Sequence, residues 1–343
     1  MNPEVAISII LSTHNRADYL PDALKALAAQ KCRVSFEVIV IDNASTDNTP
    51  TILDMWCRMD SRFRTTREPR LGLSCGKNAG IRMARAPLLV FTDDDMVTDP
   101  QWLQSYHDLF SRQEDELVLA GGPCIPIAHD LVKWPDWFHD DGLADIALLH
   151  YHEERVLTKS EYVWGGNMAV PARLFARFGL WDETVGRKGD KRGTFEDTEF
   201  QDRIRQEGIA VWFCPSAAVH HRTPHESVTP RQISATAFTR GRNDFWVQNL
   251  KIWNEIQSIP KRNIVEGLIE LTASLVRWSF WVFAFRLLRN RSLFRRMRRG
   301  AFASARSLET LRPGRDSTPL YFTASRITFL TRRLLLGLTP NVR

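Results

Sequence analysis

The chain has 343 residues, 43% hydrophobic and 25% charged, enough for one large domain or two ordinary ones. The formal charge of +6 conceals a division: residues 1–250 hold 28 Lys and Arg against 35 Asp and Glu, a net of −7, while residues 251–343 hold 18 against 5, a net of +13. Cys32, Cys57, Cys75, Cys124 and Cys214 are scattered and form no C-x-x-C pair, so neither a zinc site nor a disulfide framework is suggested, and a reducing, cytoplasmic setting fits best.

The first apolar run, EVAISIILSTHNR, reads as a buried strand rather than a signal peptide, because no basic stretch precedes it. DYLPDALKALAAQ, with Leu20, Leu24 and Leu27 at helical spacing, predicts a helix. FEVIVIDNAST predicts a second strand ending at Asp42. TPTILDMWCRM predicts a helix with Ile52, Leu53 and Trp56 on one face. SCGKNAGIRMARA predicts a third helix and PLLVFTDDD another strand. This alternation implies α/β architecture with a mainly parallel, doubly covered sheet, whose ligands gather at the carboxyl ends of the strands. Asp42 and Asp93 to Asp95 fall at two such ends.

Beyond residue 100 the rhythm loosens. DPQWLQSYHDLF reads as a helix, LVLAGGP as a strand and KWPDWFHDDG as irregular. YVWGGNMAVPARLFARFG reads as strand, turn, helix. TFEDTEFQDRIRQEG reads as a helix with Thr194 as cap and Gly208 as stop, and AVWFCPSAAVHH as one strand. Residues 1–250 are therefore expected to form the main domain, with a first half at 1–100 and a second at 101–250, and residues 251–343 a basic helical tail. Within the tail, residues 264–285 are apolar but carry Glu266, Glu270 and Arg277, and their longest charge-free run, WSFWVFAF, is eight residues. A spanning helix needs ~20 mostly apolar residues. Seven arginines follow in RLLRNRSLFRRMRRG. The expectation is an amphipathic helical region on an anionic membrane surface. The alternatives are a helical cap with solvated arginines, or a span.

Several clusters carry chemistry. In an extended D-x-D, alternate side chains converge, so Asp93 and Asp95 suit a hard cation while Asp94 points elsewhere; the competing reading is an acidic helix start leading into Asp99 and Pro100. Asp42 suits a ribose or base edge, or simply a turn. Gly72 and Gly76 permit close backbone approach, Lys77 offers a cation to a diphosphate, and Asn78 caps or contacts a ligand. Gly165, Gly166 and Asn167 make either room for a ligand or a tight turn. Glu196 and Asp197 start a helix, where Asp197 reads either as a general base or as part of a capping box with Thr194. His220, His221 and His225 offer imidazole ligands or structural histidines.

The ordered set SIILSTHNRADYLPDALKAL, FEVIVIDNASTDNT, RLGLSCGKNAGI, LLVFTDDDMVTDPQWL, WGGNMAV and FEDTEF resembles the family 2 glycosyltransferases of GT-A fold, over roughly residues 5–245. That resemblance implies an inverting transferase using a nucleotide-diphosphate sugar and Mg²⁺ or Mn²⁺. By position, Thr13, Asn15, Asp42, Lys77, Asn78, Asp93 and Asp94 would bind the nucleotide sugar. Asp93 and Asp95, with His220 or His221, would hold the metal. Trp164, Gly166, Asn167 and Glu196 would border the acceptor, and Asp197 would be the base. The chain departs from the family in reading S-T-H-N-R for P-x-Y-N-R. It also has Lys77 where arginine is common, which keeps the charge and loses the bidentate fork. WPDWF supplies flat faces for sugar rings or for shielding the cleft. The implied partners are a glycan or lipid-linked acceptor and the inner face of the cell membrane, in bacterial surface polysaccharide or glycolipid synthesis. Nucleic acid is not expected, since the tail's arginines interleave with Leu and Phe. LLVFTDDDMV also resembles the haloacid dehalogenase phosphatase signature, but arrives after two strand–helix units instead of on the first strand. A non-catalytic scaffold of the same fold is the remaining alternative.

Overall fold

The computed structural model describes residues 4–113, 117–128, 149, 151–159, 161–187 and 195–223. The basic tail, WPDWF, Thr194 and His225 lie outside them. The described residues all belong to one unit, Met1–Trp134 with Asp140–Val228; the other, Pro135–His139 with Thr229–Arg343, lies outside the described residues. Among the described residues no helix is long and apolar enough to cross a membrane.

The first half is built as the alternation predicts. β1 (Ile7–Thr13), β2 (Phe36–Asp42) and β4 (Leu88–Thr92) are parallel neighbours, with β1 between the other two. Their side chains alternate between two apolar layers. Ile9, Leu11, Val38, Val40 and Val90 face α1 (Leu20–Ala28), α2 (Thr49–Met59) and α4 (Trp102–Arg112). Ile10, Leu89 and Phe91 face the opposite layer. α3 (Leu73–Met83) also lies on that side, packed on β1 through Gly76 and Gly80. A Cβ on Gly76 would stand 2.0 Å from Ser12 Oγ, and one on Gly80 2.4 Å from Ile10 Cγ2. Gly76 therefore serves close helix–sheet packing, not close approach to a ligand.

Three features depart from the expected elements. β3 (Phe63–Arg67) extends the sheet beyond β2, yet its sequence FRTTR lacks an apolar pattern, because an edge strand with one buried residue does not need one. The Gly165–Gly166 turn precedes its strand: β9 (Asn167–Pro171) runs antiparallel to β4 and leads directly into α5 (Ala172–Phe178). AVWFCPSAAVHH is two strands, β10 (Ala210–Phe213) and β11 (Val219–Thr223), in different sheets. The main sheet runs β3-β2-β1-β4-β9-β6-β10-β8, with β6 at Val118–Gly121 and β8 at Arg155–Val156. A small second sheet places β11 between β5 (Met96–Thr98) and β7 (Cys124–Ala128). α6 (Glu196–Gln206) covers the Phe91 layer through Phe200 and Ile204.

α3 stops earlier than its sequence suggests because Glu37 captures the following residues. This buried carboxylate on β2 accepts from Ser8 Oγ at 2.7 Å, Arg64 Nη1 at 2.7 Å, Arg85 Nη2 at 2.9 Å and the Arg85 amide at 2.9 Å. Burial pushes its pKa up, but the bonds from Arg64, Ser8 and Arg85 outweigh it and hold the group below its ordinary 4.5. A depressed carboxylate stabilises the fold above its unfolded pKa, and that stability is lost as pH falls through the folded value. Glu37→Gln is accordingly expected to cost about 2 kcal/mol in urea unfolding at pH 7. The gap from wild type should shrink as pH falls below 4.5; an equal gap at both ends would refute this account.

Candidate active site

A cavity of about 460 Å³ opens at the carboxyl ends of β1, β2 and β4. Residues 12–19, Asn43, Asp47, Leu71, Leu73, residues 93–95 and Arg187 line it. Two loops are laced to form its mouth. Asn15, in the left-handed region at φ 52°, accepts from the Thr46 amide at 2.7 Å, and its own amide donates to Ser45 Oγ at 3.0 Å. Asp47 accepts from the Ala17 amide at 3.0 Å. Asn15 thus lines the cavity with its side-chain carbonyl already engaged. Asn43 fixes the third wall: it donates to the Glu68 and Arg70 carbonyls and accepts from the Gly72 amide.

All three acids of the triplet line this space. The D-x-D alternation does not apply to them, because β4 ends at Thr92 and residues 93–95 form a turn before β5. Asp94 and Asp95 instead share Arg16, at 3.7 and 3.6 Å, and Asp94 also accepts from Thr13 Oγ1 at 2.7 Å. Asp93 faces Gly166, where a Cβ would stand 2.4 Å from Asp93 Oδ2, and its buried Oδ1 has no hydrogen-bond partner. Burial pushes Asp93 up, against the pull of Lys77. Burial and then Asp95 push Asp94 up to about 7, against Arg16 and Thr13. For Asp95, burial is outweighed by His221, Arg16 and Arg187, so its carboxyl is held below the usual range. Burial likewise opposes charge on His221, but Asp95 at 3.7 Å outweighs it and raises the imidazole pKa. Crowded acids of this kind mark a place where a cation is wanted.

Among the described residues no group of three or more His, Cys, Asp or Glu is gathered to hold an ion. The donors nevertheless fit one that is shared with phosphate. Mg²⁺ typically takes one or two carboxylates and completes its shell with substrate oxygens and water. Asp93 offers an unpartnered oxygen and Asp95 a second carboxylate, and His221 adds a nitrogen once it gives up the proton that Asp95 favours. His220 does not join them. It lies on the other face of β11, 2.9 Å from Asp99.

Behind Asp93 lies a second cluster. At the start of α6, Asp197 accepts from the Gly165 amide and from the Thr198 amide, each at 2.8 Å. Phe195, in the left-handed region at φ 88°, precedes the helix with no side-chain cap. Burial, then Asp197, push Glu196 up to about 7, against Lys77. Trp164 packs half-buried against the core, its carbonyl accepting from the Asn167 amide.

Several residues expected at the ligand stand elsewhere. Asp42 is buried, accepts from the Ser45 amide at 2.9 Å, and faces Arg67 at 3.8 Å outside the cavity lining. Asn78 spends its side chain on Trp181 and Glu183. Lys77 is 1% exposed and does not line the cavity. Asn167 is fully buried. It accepts from Trp102 Nε1 and Tyr106 Oη at 2.7 Å and donates to the Pro123 and Ala217 carbonyls, so it ties α4 to both sheets. Asn167→Ala would leave several buried polar groups unpaired. The expected loss is roughly 3–5 kcal/mol, seen as a lower Tm; a Tm within 2 °C of wild type would exclude this role.

Two cavity cations went unassigned in the sequence. Arg16 stands inside the S-T-H-N-R segment. Arg187 had no local signal, and only the fold brings it to the cavity: its carbonyl accepts from the Leu73 amide and the Val185 carbonyl from Ser74 Oγ, both at the start of α3.

The fold has known counterparts. A mannosyltransferase from Pyrobaculum calidifontis in complex with GDP-Man and Mn²⁺ superposes with a TM-score of 0.59 at 17% identity, over 91% of this chain and 88% of that one. GalNAc-T7 with UDP, GalNAc and Mn²⁺ gives 0.50 at 16%, over 71% and 51%. These likenesses define the class of architecture, a GT-A domain. Residues 8–171, just under half of the chain, match the family described as Glycosyl transferase family 2. Similar proteins include validoxylamine A glucosyltransferase of Streptomyces hygroscopicus subsp. jinggangensis, 26% identical over 74% of this chain. Chondroitin synthase of Escherichia coli is 26% identical over 69% of it, and hyaluronan synthase of Pasteurella multocida 33% over 66%. This chain spans 66%, 37% and 26% of those three relatives' lengths.

Proposed function

We propose that the protein is an inverting, divalent-cation-dependent glycosyltransferase that moves a sugar from a nucleotide-diphosphate donor to a hydroxyl of a glycan or lipid-linked acceptor. The observation that carries this reading is the cavity at three strand ends, walled by Asp93, Asp94 and Asp95, with Arg16 and Arg187 on its rim and Asp197 just behind the Gly165–Gly166 turn. Its size suits a nucleotide, and its mixed charge suits a cation–diphosphate pair.

Asp93, Asp95 and His221 would hold Mg²⁺ or Mn²⁺, which when bound neutralises the leaving diphosphate as a Lewis acid. Arg16 and Arg187 bring positive charge to the same diphosphate. Thr13 fixes Asp94 for the nucleotide side, and Asn15 and Asp42 keep the two loops in shape around it. Asp197 takes the proton of the acceptor hydroxyl. The freed oxygen bonds to the anomeric carbon while the bond from that carbon to the diphosphate oxygen breaks, and the nucleoside diphosphate leaves with the electron pair. A single displacement inverts the configuration. Trp164 and Glu196 flank the route to Asp197 on the acceptor side.

Relatives that include two polysaccharide synthases support a polysaccharide or glycolipid product. The phosphatase alternative uses Asp93 as nucleophile and leaves Asp197 without a task. Calorimetric titration of UDP- and GDP-sugars with Mn²⁺, followed by mass analysis of products, tests the proposal. Binding indifferent to Mn²⁺, combined with hydrolysis of a phosphomonoester, would overturn it. For the tail, we propose contact with an anionic membrane surface at the inner face of the cell membrane. Co-sedimentation with phosphatidylserine vesicles but not with phosphatidylcholine vesicles is expected; equal recovery with both would sink it.

A further inference from the structure

A lysine that is 1% exposed needs a reason, because an uncompensated buried ammonium is costly. Lys77 projects from α3 toward the start of β9. Its Nζ donates to the Gly165 carbonyl at 3.2 Å, stands 3.9 Å from Glu196 Oε1 and lies 5.6 Å from the Trp181 ring centre. Asp93 and Glu196 both feel its charge. A diphosphate contact would require the ammonium in the cavity, and it is not among the lining residues.

What Lys77 does touch is the peptide that holds Asp197. The Gly165 carbonyl accepts from Lys77, and the Gly165 amide donates to Asp197 Oδ2 at 2.8 Å. One glycine is thus gripped at both polar ends, by a cation from α3 and a carboxylate from α6. A side chain there would have to push the lysine head aside. A Cβ at 165 would lie 2.8 Å from Lys77 Nζ, 3.1 Å from Asp197 Cβ and 3.3 Å from Asp197 Oδ2. The next residue is equally confined, since a Cβ on Gly166 would enter Asp93. The turn therefore sets the separation between Asp93 on the donor side and Asp197 on the acceptor side. A compact ammonium suits this place better than a planar guanidinium, which would need more room and a forked partner.

We infer that Lys77 is a positioning residue: by holding the Gly165–Gly166 turn and balancing the acids around it, it fixes the Asp197 carboxylate in line with the donor. The inference rests on the proposed role of Asp197 as base.

The test uses the full chain with Lys77→Met, which removes the charge and keeps the stem, and Gly165→Ala, which keeps the charge and displaces the grip. Binding of UDP and GDP with Mn²⁺ is measured by calorimetry. Turnover is measured as nucleoside diphosphate released from UDP-glucose, UDP-N-acetylglucosamine and GDP-mannose, with water as acceptor. Both variants are expected to bind nucleoside diphosphate within about threefold of wild type and to lose about 100-fold in kcat, the cost of an ångström-scale misplacement of a reacting group. A Lys77→Met variant with nucleotide affinity down more than about tenfold and kcat intact at saturation would make Lys77 a donor contact and overturn the inference. If Lys77→Met does not fold, Gly165→Ala decides: a folded variant with wild-type kcat overturns it. A wild-type protein that neither releases nucleoside diphosphate from any donor nor binds UDP or GDP with Mn²⁺ refutes the transferase reading itself, a result distinct from either variant outcome.

Discussion

Asp197→Asn is expected to lower the transfer rate about 10²- to 10⁴-fold, the range a general base contributes, while leaving donor affinity close to wild type. Asparagine keeps the shape but only one acceptor oxygen, so it can serve either the Gly165 amide, bound by Oδ2, or the Thr198 amide, bound by Oδ1, and a modest loss of stability at the start of α6 is expected beside the loss of rate. What it loses is the ability to take a proton. Glu196 is next in the chain, but its side chain is buried with Lys77 Nζ 3.9 Å away, which leaves it little access to an acceptor hydroxyl. The measurement is a single-turnover rate beside a donor Kd. A variant that transfers at the normal rate removes Asp197 from the mechanism, whatever the fold.

Asp95→Ala acts on the other side of the transferred sugar. Of the triplet, Asp95 is the acid held ionised, by His221 and Arg16, and it is proposed to hold the cation against the diphosphate. Its removal is expected to abolish the gain in nucleotide affinity that Mn²⁺ brings. That gain should be at least about tenfold in wild type, or about 1.4 kcal/mol. Titration of UDP and GDP with and without Mn²⁺, before and after a chelator, reads this directly. If Mn²⁺ strengthens binding equally in wild type and variant, the ion is held elsewhere. The two substitutions should separate cleanly: Asp197→Asn binds without turning over, and Asp95→Ala fails at the metal-dependent binding step.

The acids of the site were legible as candidates because position along the chain implies position in space. A buried apolar strand that ends in DDD must present those acids at a sheet edge, and LLVFTDDD does so. The same reasoning fails for residues whose role is decided by partners far along the chain. Asn78 and Asn167 look like ligand residues in their motifs, yet each satisfies backbone groups from other elements and has little left to offer a substrate. Of the paired histidines, the sequence left both open; the strand register sends His221 to Asp95 and His220 to Asp99.

By itself, the sequence determined the strand–helix alternation of the first hundred residues, the two-sided burial of β1, β2 and β4, and the placing of carboxylates at their ends. Those properties follow from local periodicity and from where apolar runs stop. Tertiary structure alone decided that β3 and the β5-β11-β7 sheet exist, that Arg187 reaches the acids, and that Lys77 is turned inward onto Gly165. The physical reason is the same in each case. An edge strand, an ion pair or a buried cation is stabilised by groups distant in sequence, and no local pattern encodes which distant group will be there.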